Sequence, residues 1–123
     1  MDLTPYVPAG RQLIQGYGAG GFRIAGIRHE GPLLVFPSRT IAWPLTAEAI
    51  TEESLVAVLA ADPAVELLLL GTGARMEPPP AGLRQQLRSR GVMLDAMDTG
   101  AACRTFNVLM AEERRVAAAL IPV

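Results

Sequence analysis

Residues 97–107, Met-Asp-Thr-Gly-Ala-Ala-Cys-Arg-Thr-Phe-Asn, hold the side chains best suited to chemistry in this sequence. Cys103 is the only cysteine. As a thiolate it would be a nucleophile, and a helix start with a neighbouring arginine favours the thiolate. Arg104, read as lying in the first turn of that helix, could hold an anion or pair with a carboxylate such as Asp95 or Asp98. Thr99 is the residue type that caps a helix, and free N–H groups at a helix start attract anions. A second polar set, Gly71, Thr72 and Gly73, follows an apolar run. Ligands of open α/β sheets bind outside the carboxyl ends of parallel strands. If the two strands are neighbours, Gly71, Thr72, Gly73, Asp98, Thr99, Cys103, Arg104 and Asn107 share one crevice.

Three readings of that cluster compete. In the first it is structural: Thr99 caps, Arg104 pairs with an acid, Cys103 packs as a small hydrophobe and Asn107 bonds a loop backbone. In the second the crevice or its rim recognises a protein partner or a small anion. In the third Cys103 is a nucleophile. The third lacks an acid–base partner, since the only histidine, His29, falls in a distant hairpin. Ser38, Ser54 and Ser89 stand in no triad-like setting, so no catalytic residue is assigned. No cysteine or acidic cluster accompanies His29 at ligand spacing, so neither a metal site nor a cofactor is expected. The glycines at 16, 18, 20 and 21 lie between two strands, not between strand and helix. They read as a tight turn or bulge in preference to a phosphate cradle.

These residues need a frame. An apolar strand over residues 92–97 feeds the cluster. The helix leaving it buries Ala102, Phe106, Leu109 and Met110, at i, i+4, i+7 and i+8. Residues 65–70 are near-continuously apolar, as a strand covered on both faces should be. Prolines 78–80 introduce a helix with Leu83 and Leu87 inward, Arg84, Gln85 and Arg88 outward, and Gly91 at its end. Residues 65–97 therefore form a β-α-β unit, which requires a parallel pair and a right-handed crossover. Upstream, Thr51 reads as the N-cap of a helix, with Glu52 and Glu53 in its first turn and Ile50 and Leu55 as a hydrophobic staple. That helix stops near Ala61, before Asp62 and Pro63.

The first third is β-rich. Residues 1–10 read as an extended arm, and 12–17, 22–27, 32–36 and 40–44 as short strands, with His29, Glu30 and Gly31 as a hairpin turn. Trp43 caps the core. Residues 116–121 suit either a continued helix or a buried strand, and periodicity does not separate the two.

Composition bounds the function. The chain has 123 residues, half of them apolar and 19% charged, which fits one domain (1–10 arm, 11–44 hairpin region, 50–122 α/β core) and excludes a disordered chain. A net charge of -1 gives no basic field for nucleic acid. No apolar run is long enough to span a bilayer. The N-terminal residues carry no signal- or transit-peptide pattern. One cysteine makes no internal disulfide, so a cytoplasmic, bacterial protein is expected.

The ordered set of residues 16–22, 70–73, the proline run with its helix, 97–99, 102–107 and 113–120 resembles a small domain family of unknown function. That family includes mitochondrial respiratory complex I assembly factor 3 and an adipogenesis-associated cytoplasmic protein. The resemblance covers residues 14–122. It implies a three-layer α/β fold with a mixed central sheet, an added β-hairpin region, and a last strand antiparallel to its neighbours. It implies no catalytic residue. The expectation is a non-enzymatic interaction or assembly-type module, monomer or weak dimer, with a protein partner. The alternative is an anion- or small-molecule-binding protein or enzyme using the crevice.

Overall fold

The computed structural model describes residues 10–45 and 50–123; the expected arm, Gly10 apart, lies outside them. A small antiparallel sheet comes first: β1 (Ile14–Gly18), β2 (Gly21–Ile24) and β3 (Ile27–Glu30), in that order. The two connections are both Ala-Gly pairs with positive φ at each residue, Ala19 (52°) and Gly20 (81°), then Ala25 (50°) and Gly26 (82°). Such pairs form tight two-residue turns whose twist matches the strands. The second turn corrects the sequence reading. The chain reverses at Ala25 and Gly26, so residues 22–27 are not one strand, and His29 sits inside β3 opposite Phe22.

The main sheet has five strands in the order β5-β4-β8-β6-β7, where β4 is Leu33–Phe36, β5 Arg39–Ala42, β6 Leu67–Gly71, β7 Met93–Met97 and β8 Val116–Leu120. The tail is thus a strand, as the resemblance implied, and it is the central one. Its direction needs correction: β8 is antiparallel to β4 but parallel to β6. The reason lies in the connections. Both β6-to-β7 and β7-to-β8 cross over through a helix, which makes β6, β7 and β8 a parallel trio.

Side-chain alternation sorts the two faces. Leu68, Leu70, Ala117 and Ala119 face one core with Trp43, Leu55 and Val58. Helix α2 (Leu83–Arg88) adds Leu83 and Leu87 to it. Leu69, Val116, Ala118 and Leu120 face the other, with Phe22 and Ile24 of the small sheet and Ala102, Phe106 and Met110 of α3 (Thr99–Ala111). Three layers result: α1 (Val56–Leu59) and α2, the mixed sheet, then α3 with the small sheet. Both faces of β6 and β8 are covered, which is why their sequences are apolar without polar alternation. The small alanines of β8 leave room on each side for bulkier partners.

The helix expected from Thr51 to Ala61 is shorter, a 3-10 turn at Glu53–Leu55 running into one turn of α1. Its start matches expectation. Thr51 Oγ1 accepts from the Ser54 N–H (3.1 Å), and Ser54 Oγ accepts from the Thr51 N–H (3.2 Å). Trp43 is buried and its Nε1–H donates to the Ser54 carbonyl at 3.1 Å, so it both caps the core and anchors that turn.

Candidate functional site

The carboxyl ends of β6, β7 and β8 meet at the start of α3, and the two loops chosen from sequence do share this corner. Thr99 is fully buried there. Its hydroxyl donates to the Ile121 carbonyl (2.6 Å) and accepts from the Gly73 N–H (2.8 Å), while its own N–H donates to the Gly73 carbonyl (2.9 Å). The Thr72 N–H donates to Met97 O, and the Ile121 N–H to Gly71 O, both at 2.9 Å. Thr72 Oγ1 also accepts from the Glu77 N–H at 2.9 Å, which orders the following loop. Five bonds, made by one hydroxyl and eight backbone groups, therefore tie three strand ends together. Gly71 suits the closeness of this packing: a Cβ there would lie 3.0 Å from Leu120 Cδ2 and 3.1 Å from the Thr99 Cα, so these neighbours would have to give way.

Two roles assigned from sequence change, those of Thr99 and Arg104. Thr99 is the first helical residue, and the cap is Asp98, whose carboxylate accepts from the Ala101 N–H at 2.9 Å. An acidic cap both satisfies an orphan donor and suits the helix dipole. Arg104 sits in the second turn of α3, and its Nη1 donates to the Tyr17 hydroxyl (3.1 Å) in place of an acid. Gly100 makes that approach possible, since a Cβ there would fall 2.5 Å from the Tyr17 oxygen. Cys103 is 2% exposed. Burial pushes its thiol up to about 12, against a lowering by Arg104 and with a further rise from Asp98. At neutral pH it is a protonated packing residue.

Asn107 keeps the backbone-bonding role and gains precision. Its Oδ1 accepts from the Ile14 N–H and its Nδ2 donates to the Ile14 carbonyl, each at 2.9 Å. The side chain thus pairs like a neighbouring strand and docks the small sheet on α3, beside the bulge between Ile14 and Gly16. Every buried side-chain polar atom among the described residues has a partner. The same residues hold no group of three or more His, Cys, Asp or Glu side chains that could hold a metal ion.

Two features were not singled out from sequence. Tyr17, 43% exposed, joins Arg104 and Val108 (54% exposed) on one outward face. At the opposite end of the sheet, a cavity of about 380 Å³ opens between the β4–β5 turn, residues 61–65 and residues 113–116, lined in part by Arg11, Arg39, Arg114 and Arg115. The only sequence signal for it is the Glu-Arg-Arg run at 113–115.

Comparison with known proteins fits this architecture. An uncharacterised protein of Rhodobacter capsulatus is 43% identical over 123 residues, covering 98% of this chain and 94% of that one. The NADH dehydrogenase [ubiquinone] 1 alpha subcomplex assembly factor 3 of Danio rerio is 40% identical over 111 residues, which span 89% of this chain and 64% of the longer relative. A crystal structure described as an outer membrane protein from Bartonella henselae superposes with a TM-score of 0.83 at 43% identity, covering 93% of this chain and 97% of that one. The family model for proteins of unknown function DUF498/DUF598 matches residues 14–121, and the chain belongs to that family.

Proposed function

We propose that this chain is a non-enzymatic interaction module of the assembly type, acting through the outward face of Tyr17, Arg104 and Val108. The observation that carries the reading is the division of the corner into a closed inside and an open rim. Inside, the Thr99 hydroxyl and the loop amides bond one another and the Cys103 thiol is buried and protonated. On the rim, a tyrosine and an arginine held together at 3.1 Å stay exposed. Tyrosine and arginine are the residue types that dominate protein interfaces, because each offers large area with directed hydrogen bonds. Kinship with the Danio rerio assembly factor supports a protein as the partner. An anion or small molecule at Gly71–Gly73 and Asp98–Asn107 would have to displace these internal bonds, so that alternative is not adopted. Among the described residues no helix is long and apolar enough to cross a membrane.

The test is retention of purified soluble NADH dehydrogenase subunits on the immobilised chain. At least one subunit should be retained. Arg104→Glu and Tyr17→Ala should each weaken retention about fivefold or more, as expected for hot-spot residues. Unchanged retention in both variants would move the interface elsewhere. Failure to retain any subunit would remove the assembly reading.

A further inference from the structure

The cavity at the amino ends of β6 and β8 is far from the corner and is built differently. Its floor is apolar and buried: Phe36 closes β4 and Val65 precedes β6, both packed in the core on the α1–α2 face, while Val116 at the start of β8 borders the cavity with its side chain in the core on the α3 face. Its mouth is ringed by charge, with four of the chain's eleven arginines in the lining. Arg115 is bonded to Glu66, next to the cavity. That leaves Arg11, Arg39 and Arg114 against Asp62 and Glu113. Arg39 is held in place, its guanidinium lying 4.7 Å from the centre of the Phe36 ring. A stacked guanidinium keeps its hydrogen-bonding edge free and loses little freedom when it meets a carboxylate.

The carboxyl ends of α1 and α3 also point towards this region, and a helix carboxyl end attracts cations. That accounts for basic residues just past α3, namely Arg114 and Arg115. It does not account for Arg11 and Arg39, which come from other segments and converge on the same opening. A size of about 380 Å³ admits one or two large side chains or a small ligand. The polarity decides between them. Small-molecule pockets place a few polar groups inside to fix orientation. Here the charged groups of the lining sit at the mouth, exposed except for the half-buried Arg11, over a floor without polar side chains. Apolar inside and charged outside is the arrangement of an interface pocket that takes an anchor residue.

Resting on the reading of the chain as a protein-interaction module, we infer that this cavity receives an apolar side chain from an acidic segment of a protein partner. The apolar side chain fills the space beside Val65 and the Arg39-covered Phe36. Flanking carboxylates pair with Arg39 and Arg114. This is a second contact point, separate from the Tyr17 and Arg104 face.

The test uses the full chain, 15N-labelled, and three blocked pentapeptides: Glu-Glu-Leu-Glu-Glu, Glu-Glu-Gly-Glu-Glu and Lys-Lys-Leu-Lys-Lys. The first should shift the amides of Asp62, Ala64, Val65 and residues 113–116 in a saturable manner. The glycine and lysine peptides should bind about fivefold more weakly or worse, because each lacks one half of the recognition. Arg39→Glu and Arg114→Glu should each cost the first peptide a similar factor. Equal shifts from the first two peptides would show charge attraction without an anchor and overturn the inference. So would tighter binding of the lysine peptide, shifts mapping elsewhere, or no shifts. Those outcomes leave the module reading standing as long as a subunit is still retained through the Arg104 face. If no subunit is retained while the peptide selectivity holds, the module reading fails and the pocket chemistry stands.

Discussion

The two ends of the parallel trio differ in how their loops are closed. At the carboxyl ends of β6, β7 and β8, the loops bond one another through Thr99, and α3 is capped by Asp98 and overlaid by Tyr17. At the amino ends of β6 and β8, the loops stand apart around an apolar floor and an arginine-lined mouth. In open α/β sheets the carboxyl end is where ligands are ordinarily found. Here the amides of Thr72, Gly73, Thr99, Ala101 and Ala102, which would make that end attractive, are already bonded within the chain. Position in the fold offers a site only if the local donors are left unused, and in this molecule the open space is at the other end.

The contrast can be broken most forcefully at Thr99. Thr99→Val keeps the side-chain size but leaves the Gly73 N–H and the Ile121 carbonyl without their partner. Orphaning two such groups should lower unfolding stability by about 2–4 kcal/mol in denaturant titrations. Arg114→Glu, at the open end, should change it by less than about 0.5 kcal/mol. Equal losses from the two would mean the corner is not held as described. A smaller effect is expected from Asn107→Leu, which removes both bonds to Ile14. It should cost about 1–3 kcal/mol and speed hydrogen exchange along β1 while leaving β6 and β8 protected. Uniform loosening of both sheets would instead make Asn107 part of the main core.

Much of this was legible in the residues. The β-α-β unit over β6, α2 and β7 announced itself because continuous apolar runs and a 3.6-residue stripe are different signals. The buried stripe of α3 followed from the same periodicities; the meeting of residues 71–73 with 98–107 depended further on β6 and β7 being neighbours, which they are. The turn at Ala25 and Gly26 was missed because alanine is an unusual first residue for a turn with two positive φ values. The direction of β8 depended on which strands it pairs with, a long-range fact that no local pattern carries. Thr99 was read as a cap because caps are recognised by residue type. That Asp98 takes the cap and Thr99 turns inward is set by the Gly73 and Ile121 backbones, which arrive from elsewhere in the chain. Arg104 meets a tyrosine 87 positions away, which no sequence pattern marks, and the basic mouth assembles from separate segments, of which only the run at 113–115 stands out in the sequence.

A closed structural joint at the corner must keep the Cys103 thiol shielded. The thiol's ordinary value of 9.0 is raised to about 12 in the folded chain by burial. Below pH 9 the thiol is protonated in both states. Above it the unfolded thiol ionises first, so this group's contribution to stability falls between pH 9 and about 12. Alkylation by iodoacetamide should be followed between pH 7 and 9 with increasing denaturant. Labelling of the folded chain should be negligible across that range, with rates rising only as the protein unfolds. Rapid labelling of the folded chain, climbing with pH through 7 to 9, would contradict the closed joint and restore an open, reactive crevice.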